Sequence, residues 1–373
     1  MSATDEGKAP KAVTRARAAV LDSIGEPLRL TTIDVQPPGP GEVMVRVRAC
    51  GVCRSDLHIQ KTSEMVTLPA VLGHEAAGVI EQVGDRVDGL SPGDHVIIAW
   101  TPSCGQCPFC LRGTPNLCAG LRVSPATGRL SEGGRLLSAY MGVAGFTELT
   151  VVGAGQAIKI RDDVPLDRVC LIGCGVMTGY GAAVRAGDIR AGDSVAVFGC
   201  GAVGLNAIQG AALAGGDPII AVDLNEEKLG LARQLGATCG VNAGTHDPIG
   251  VIGELTGGLG ADVVIEAVGN VNVLAQAMAA TRPGGTAVTV GLTEIGAELK
   301  MSPLWLVFDR TLRGSIYGSA NPRLDFPRLV DWYASKRLHL DELVTASYPL
   351  ERVNEAFDAL DAGTAIRSVI VMD

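Results

Sequence analysis

The chain has 373 residues, 47% of them hydrophobic and 19% charged: enough apolar content for two packed domains, and too ordered a composition for a disordered chain. Lys and Arg number 31 against 40 Asp and Glu, a formal charge of −9. That balance disfavours nucleic acid or an anionic membrane as the main partner, because both demand clustered cations.

Residues 1–17 are polar, carry no apolar signal core and read as a loose tail, so the expected compartment is the cytoplasm. No apolar run further along approaches the ~20 residues of a membrane span. Between 18 and 160, short β-type runs at 42–49, 79–83 and 95–99 are broken by Gly and Pro, which predicts a β-rich domain with few helices. From about 192 the pattern changes. Apolar runs at 195–198, 219–222, 263–265 and 287–290 alternate with helical segments at 202–214, 226–235 and 271–280. Alternating strand and helix predicts a parallel, doubly wound sheet. Helical pattern returns at 328–336 and 353–362, before a last strand at 367–372. The parallel domain is therefore inserted between two parts of the other.

Cys53 lies in Gly-Val-Cys-Arg-Ser-Asp-Leu-His, His74 and Glu75 in Gly-His-Glu-Ala-Ala-Gly, and Cys174 in Leu-Ile-Gly-Cys-Gly. Alone, each fragment is weak, since a lone Cys or His is more often an ordinary core residue. Together they offer two thiolates and an imidazole, with a fourth position left for water or substrate, which is a catalytic zinc arrangement. Cys104, Cys107, Cys110 and Cys118 lie within fifteen residues. Four thiolates in one tight loop satisfy Zn²⁺ tetrahedrally and leave nothing open, which makes that site structural. In a cytoplasmic chain of this length, such cysteines point to metal rather than to disulfides.

Gly199-Cys200-Gly201-Ala202-Val203-Gly204 is a G-x-G-x-x-G that follows a strand and opens an Ala-rich helix. In that context it reads as a dinucleotide site, with the pyrophosphate at the helix N-terminus. Asp223 ends the next strand, 19 residues after Gly204. Its carboxylate suits the ribose hydroxyls and repels a 2′-phosphate, so NAD is expected over NADP.

The three dispersed fragments, in the same order and with the four-cysteine lobe, resemble the zinc-containing medium-chain alcohol dehydrogenases, from about residue 18 to the end. The resemblance implies a GroES-like catalytic domain over 1–178, completed by 321–373, and a Rossmann domain over 179–320. It implies Cys53, His74 and Cys174 as catalytic zinc ligands and the lobe as a second zinc site, with two zinc ions per subunit. Cys50, Cys170, Cys200 and Cys239 match no ligand position. Asp56 is expected to hydrogen-bond His74, Ser55 and His58 to relay the alcohol proton by way of the cofactor ribose, and Glu75 to act near the metal without being a permanent ligand. Arg54 and Arg367 resemble pyrophosphate-binding positions, Lys228 a position near the adenosine ribose, and Thr178 and Val203 positions beside the nicotinamide. Trp100, Tyr140 and Met141 line the pocket by position in the family, and Leu292 joins them on the cofactor side. The implied activity is reversible hydride transfer between NAD and a primary alcohol or aldehyde with an apolar or aromatic tail. The alternatives are a formaldehyde dehydrogenase acting on a thiol adduct, for which the sequence assigns no charged cluster to hold the thiol's carboxylates, and a non-catalytic NAD- or zinc-binding sensor. Relatives of this kind pair their Rossmann sheets, so a homodimer or homotetramer is expected.

Overall fold

The computed structural model describes residues 12–62, 66–122, 128–294 and 296–372. Three sheets organise it. Strands Thr14–Leu21, Arg29–Val35, Leu130–Glu132, Arg135–Ala139 and Ala70–Val71 close into a small barrel. The long strand Glu42–Val52 is central to the second sheet. It pairs antiparallel with Glu75–Val83, Leu149–Gly153 and Arg367–Val371, so the C-terminal strand returns to the N-terminal part of the chain. The third sheet is wholly parallel. Numbering its strands as they occur, from Val195–Phe198 to Thr311–Gly314, the spatial order is 3-2-1-4-5-6. That is the dinucleotide-binding order, with its reversal between the first and fourth strands. The chain is thus a GroES-like β domain joined to a Rossmann-type α/β domain.

Local chemistry explains the elements. Helix Val353–Asp361 buries Val353, Ala356, Phe357 and Leu360, the i, i+3, i+4, i+7 stripe of an amphipathic helix. Each larger side chain in such a stripe contributes about 1.5–3 kcal/mol on burial. Strand Val195–Phe198 is buried at every position, as expected of a parallel strand covered on both faces. Helices Glu226–Gln234, Pro248–Leu255 and Val271–Ala280 start on Asn225, Asp247 and Asn270, whose side chains accept first-turn N–H groups.

Two expectations need correction. The tail expected over 1–17 does not hold where it is described: residues 1–11 lie outside the described set, and Thr14–Leu21 is a strand. Its Ala16 and Ala18 are buried while Arg15 and Arg17 point outward, a two-residue alternation hidden by the small size of alanine. The helix expected at 328–336 runs instead over Pro322–Ala334, with Pro322 in its first turn and Pro327 inside it. Phe326, Leu329 and Val330 bury a face on the core that holds the helix through the proline. Among the described residues, no single helix is long and apolar enough to cross a membrane.

Candidate active site

Three chain reversals aim side chains at one point. Cys53 follows the end of strand Glu42–Val52 and directly precedes helix Arg54–Thr62. His74 stands just ahead of strand Glu75–Val83. Cys174 sits where two helical segments, Leu166–Gly173 and Gly175–Ala186, meet at a 52° bend. The ligand atoms of Cys53, His74, Glu75 and Cys174 all lie within 4.8 Å of one another.

Asp56 knits this corner together. It is fully buried, and it accepts from the backbone N–H of Cys53 (3.0 Å) and Gly73 (3.0 Å) and from His74 Nδ1 (3.1 Å). With Nδ1 donating to Asp56, Nε2 carries a lone pair. It is buried and has no hydrogen-bond partner, and such orphans are rare in native proteins. A metal ion accounts for it. Burial pulls the His74 imidazolium down, but the Asp56 carboxylate and the Cys53 sulfur outweigh it and push the ring up to about 10, so the position at Nε2 favours a positive charge, which a metal ion supplies in place of the proton. The Cys53 thiol is held well below its usual range by a hydrogen bond from Cys174, against the effect of burial and with the help of His74. The same hydrogen bond, with burial, drives Cys174 up. The pair therefore favours one thiolate even before a cation is considered.

Glu75 has other duties. Its carboxylate is ion-paired with the buried Arg367 and accepts the Gly175 N–H at 3.2 Å. Arg367 thus competes with a metal for this oxygen, which leaves Cys53, His74 and Cys174 as the three uncommitted donors.

The lobe fits zinc on geometry. Sγ of Cys104 lies 4.0 Å from that of Cys110, and Sγ of Cys107 lies 4.0 Å from that of Cys118. Tetrahedral zinc with Zn–S bonds of about 2.3 Å sets sulfurs about 3.8 Å apart. All four cysteines are free thiols. Backbone N–H groups of Ala119 and Cys110 point at Cys107 Sγ and lower that thiol to about 6, while burial raises Cys110 to about 12.

The glycine motif forms the turn expected of it. Gly199 has φ +92°, and Gly201 caps helix Ala202–Ala214. A Cβ on Gly201 would meet nothing within 4 Å, which leaves its face open to a phosphate. A Cβ on Gly204 would lie 1.7 Å from the Gly199 carbonyl, so the helix can approach only without one. Asp223 accepts from Cys200 N (2.7 Å) and Asn225 N (3.0 Å) at the end of its strand, half-buried. Asn225, not Asp223, caps the following helix, so the carboxylate is not spent as a cap. Lys228 is half-buried in the first turn of that helix. Metal cluster and motif are neighbours because helix Gly175–Gly181, which starts at Cys174, packs on helix Ala202–Ala214. A Cβ on Gly179 would touch Val203 O at 2.1 Å, with Thr178 buried beside it.

The remaining candidates divide. Ser55 and His58 are half-buried on helix Arg54–Thr62; Ser55 Oγ lies 3.6 Å from Cys53 Sγ. Arg54 is exposed at the start of that helix. Trp100 and Tyr140 are buried, and the Tyr140 ring stands edge-on to His74 at 5.5 Å. Met141 is half-buried, with φ +51°. Leu292 is 63% exposed, in the loop whose backbone presses on Gly269 beyond the C-terminal end of strand Ala261–Glu266. Sequence reading missed Tyr317. It is 2% exposed, stacks on Trp100 at 4.1 Å and donates its hydroxyl to Gly173 O at 2.5 Å, beside Cys174. Its only signal was the adjoining Gly318, which marks a turn but not a contact.

Comparison with known proteins agrees with this layout. Residues 39–162 match the alcohol dehydrogenase GroES-like domain and residues 202–335 the zinc-binding dehydrogenase family. An alcohol dehydrogenase class-3 of Cereibacter sphaeroides is 39% identical over 96% of this chain and 100% of its own length. An S-(hydroxymethyl)glutathione dehydrogenase of Paracoccus denitrificans is 37% identical over 96% and 100%. Among solved structures, an alcohol dehydrogenase zinc-binding domain protein from Burkholderia ambifaria superposes with a TM-score of 0.93 at 34% identity, covering 97% of this chain and 100% of that one. The benzyl alcohol dehydrogenase of Acinetobacter calcoaceticus does so with a TM-score of 0.91 at 32% identity, covering 96% and 100%. With two clusters of side chains fit to hold a metal, a parallel sheet in dinucleotide-binding order and full-length relatives of this kind, the chain belongs to the zinc-dependent medium-chain dehydrogenase/reductase family.

Proposed function

We propose that the chain is an NAD-dependent zinc dehydrogenase whose substrate presents a hydroxymethyl group, with S-hydroxymethyl thiol adducts as the first substrate class. The observation that carries the dehydrogenase reading is the orphaned His74 Nε2 among two cysteine sulfurs, on elements packed against the glycine motif. The thiol adduct is supported by a full-length relative named for S-(hydroxymethyl)glutathione. A second reading, a free aromatic primary alcohol, is favoured by the buried Trp100, Tyr140 and Tyr317 around the cluster and by the likeness to a benzyl alcohol dehydrogenase.

When bound, zinc supplies Lewis acidity toward the substrate oxygen and NAD accepts the hydride. The chain's part is position, proton transfer and dryness. Cys53, His74 and Cys174 hold the metal. Asp56 keeps His74 in the tautomer that frees Nε2. Ser55 takes the substrate proton at Oγ, because a hydroxyl both accepts and donates. His58, three residues on along the same helix, would receive it by way of the cofactor ribose and pass it to solvent. The aromatic walls exclude water, which strengthens every charge interaction inside. Arg54, Arg367, Lys228 and Asp223 are proposed to hold the phosphates and adenosine ribose of NAD, and Thr178, Val203 and Leu292 its nicotinamide half. A dimer would use the free edge of strand Thr311–Gly314, which ends its sheet beside the exposed Leu304, Val307 and Phe308.

The deciding assay follows NADH absorbance with formaldehyde, with and without glutathione, against benzyl alcohol, each with NAD or NADP and with or without a chelator. A rate with formaldehyde plus glutathione at least ~10-fold above that with benzyl alcohol is expected. The reverse ratio assigns the free aromatic alcohol. No NADH under any condition sinks both readings and leaves a sensor.

Asp56→Asn tests the support behind His74. It keeps the shape but replaces one carboxylate oxygen by an NH2 group, which must face either the Cys53 N–H or the Gly73 N–H together with His74 Nδ1. Losing such a partner lowers metal affinity or activity about 10- to 100-fold. Steady-state kinetics and metal analysis that match wild type would remove Asp56 from this role.

A further inference from the structure

One line of contacts joins the two metal clusters, and the mechanism above does not use it. It starts at Asn116, two residues before the lobe cysteine Cys118. Asn116 lies in the short turn Pro115–Leu117, is 4% exposed, and donates Nδ2–H to the carbonyl of Ile316 at 3.4 Å. Ile316 opens the turn Ile316–Ser319, in which three successive residues are left-handed: Tyr317 (φ 57°), Gly318 (φ 64°) and Ser319 (φ 53°). Two of these carry side chains, and such a backbone persists only where the surroundings impose it.

The surroundings here are the active centre. A Cβ on Gly318 would lie 2.4 Å from the Met177 carbonyl and 2.7 Å from that of Thr178, and one on Gly181 would lie 2.0 Å from the Gly318 carbonyl. The turn is therefore pressed backbone to backbone on helix Gly175–Gly181, which begins at Cys174. Tyr317 reaches across the same helix start: its hydroxyl donates to Gly173 O at 2.5 Å, and its ring stacks on Trp100 at 4.1 Å. The contacts thus run from Cys118 through Asn116, Ile316 and Tyr317 to Gly173 and Cys174.

We propose that Asn116 is a positioning residue for the active centre: it ties the four-cysteine lobe to the Ile316–Ser319 turn, and through Tyr317 fixes Cys174 and the Trp100 wall. The lobe's order is then felt at the catalytic cluster through one side-chain amide. Ser315 Oγ and Ser319 Oγ, 3.1 Å apart, close the turn internally, but only Asn116 links it to the lobe by a side-chain hydrogen bond among the described residues. The proposal rests on the dehydrogenase reading for its kinetic readout alone.

The test uses the full-length protein with its metals, as wild type, Asn116→Ala, Tyr317→Phe and the double variant. The first readout is kcat/KM. The second is the rate at which iodoacetate alkylates each cysteine, resolved by mass spectrometry of peptides. Each single variant is expected to lose about 5- to 10-fold in kcat/KM, the scale of one buried hydrogen bond. Because both act along one path, the double variant should lose no more than ~2-fold beyond either. Alkylation of Cys174 should rise at least ~3-fold, while Cys104, Cys107, Cys110 and Cys118 stay at the wild-type rate. Multiplicative losses, or lobe cysteines that react faster while Cys174 does not, would overturn the proposal. Tyr317→Phe keeps the ring, so it decides the alkylation arm if Asn116→Ala does not fold. A wild type that forms no NADH sinks the dehydrogenase reading, and alkylation still decides this one.

Discussion

Cys53→Ala is expected to lower kcat/KM at least ~10³-fold and to cut the metal content from two ions per chain to one, with the melting temperature within a few degrees of wild type. The size follows from the Lewis-acid effect. Zinc can shift the pKa of bound water from 15.7 to about 7, nearly nine units. If only a third of that bias survives in the transition state, about 4 kcal/mol is lost, or three orders of magnitude in rate. Cys53 is a cleaner target than His74. Removing the imidazole leaves the buried Asp56 without a side-chain partner and mixes a folding penalty into the result. Removing one sulfur leaves Asp56 with His74 and both backbone donors. The checks are steady-state kinetics, metal analysis and a thermal melt. Activity within tenfold of wild type, or two ions still bound, would dismiss Cys53 as a ligand.

What the sequence made legible was local or strongly typed. Four cysteines in one loop can meet without knowing the rest of the fold, and the lobe is as expected. A glycine motif between an apolar strand and an Ala-rich helix carries its own context, so strands Val195–Phe198, Ile219–Asp223 and Ala261–Glu266 lie where periodicity put them. Cys53, His74 and Cys174 are far apart in the chain, and it was the resemblance, not any periodicity, that joined them. The region 166–186 was harder. The sequence gives it no element, yet Gly179 and Gly181 are helical, and they are glycine because backbone from Val203 and Gly318 leaves no room for a side chain. Strand Cys239–Asn242 and helix Pro248–Leu255 were missed for a related reason: a four-residue strand holding Gly and Asn, and a helix holding two glycines, carry little apolar period. Tyr317 was invisible because its importance is a set of non-local contacts. The expected roll of substrate-pocket residues, Trp100, Tyr140 and Met141, lacked the ring on which Trp100 stacks.

The largest effect on stability is expected at the lobe. A structural zinc site contributes folding energy outright, and its loss is among the few single changes that cost a folded protein roughly 4 kcal/mol. Cys118→Ser should remove most of that contribution, because Cys118 is the buried member of the four and closes the lobe on itself, taking the Cys104 N–H on its sulfur. At ~2–4 °C per kcal/mol, the melting temperature should fall by about 10 °C. Local opening gives a sharper signature. Arg112 is exposed at the tip of the lobe, in a turn held mainly by bonds to Cys107–Cys110. In the wild type that turn is expected to resist trypsin, whereas in Cys118→Ser it should open at low cost, so cleavage after Arg112 should precede any other cut. The catalytic cluster keeps all three donors in this variant, so one ion per chain should remain, the complement of the ion kept by Cys53→Ala. A Cys118→Ser protein that melts at the wild-type temperature and shows no early cut at Arg112 would mean that packing, not metal, holds the lobe. The two variants together separate the clusters: one loses rate and keeps its fold, the other loses stability and keeps its catalytic donors.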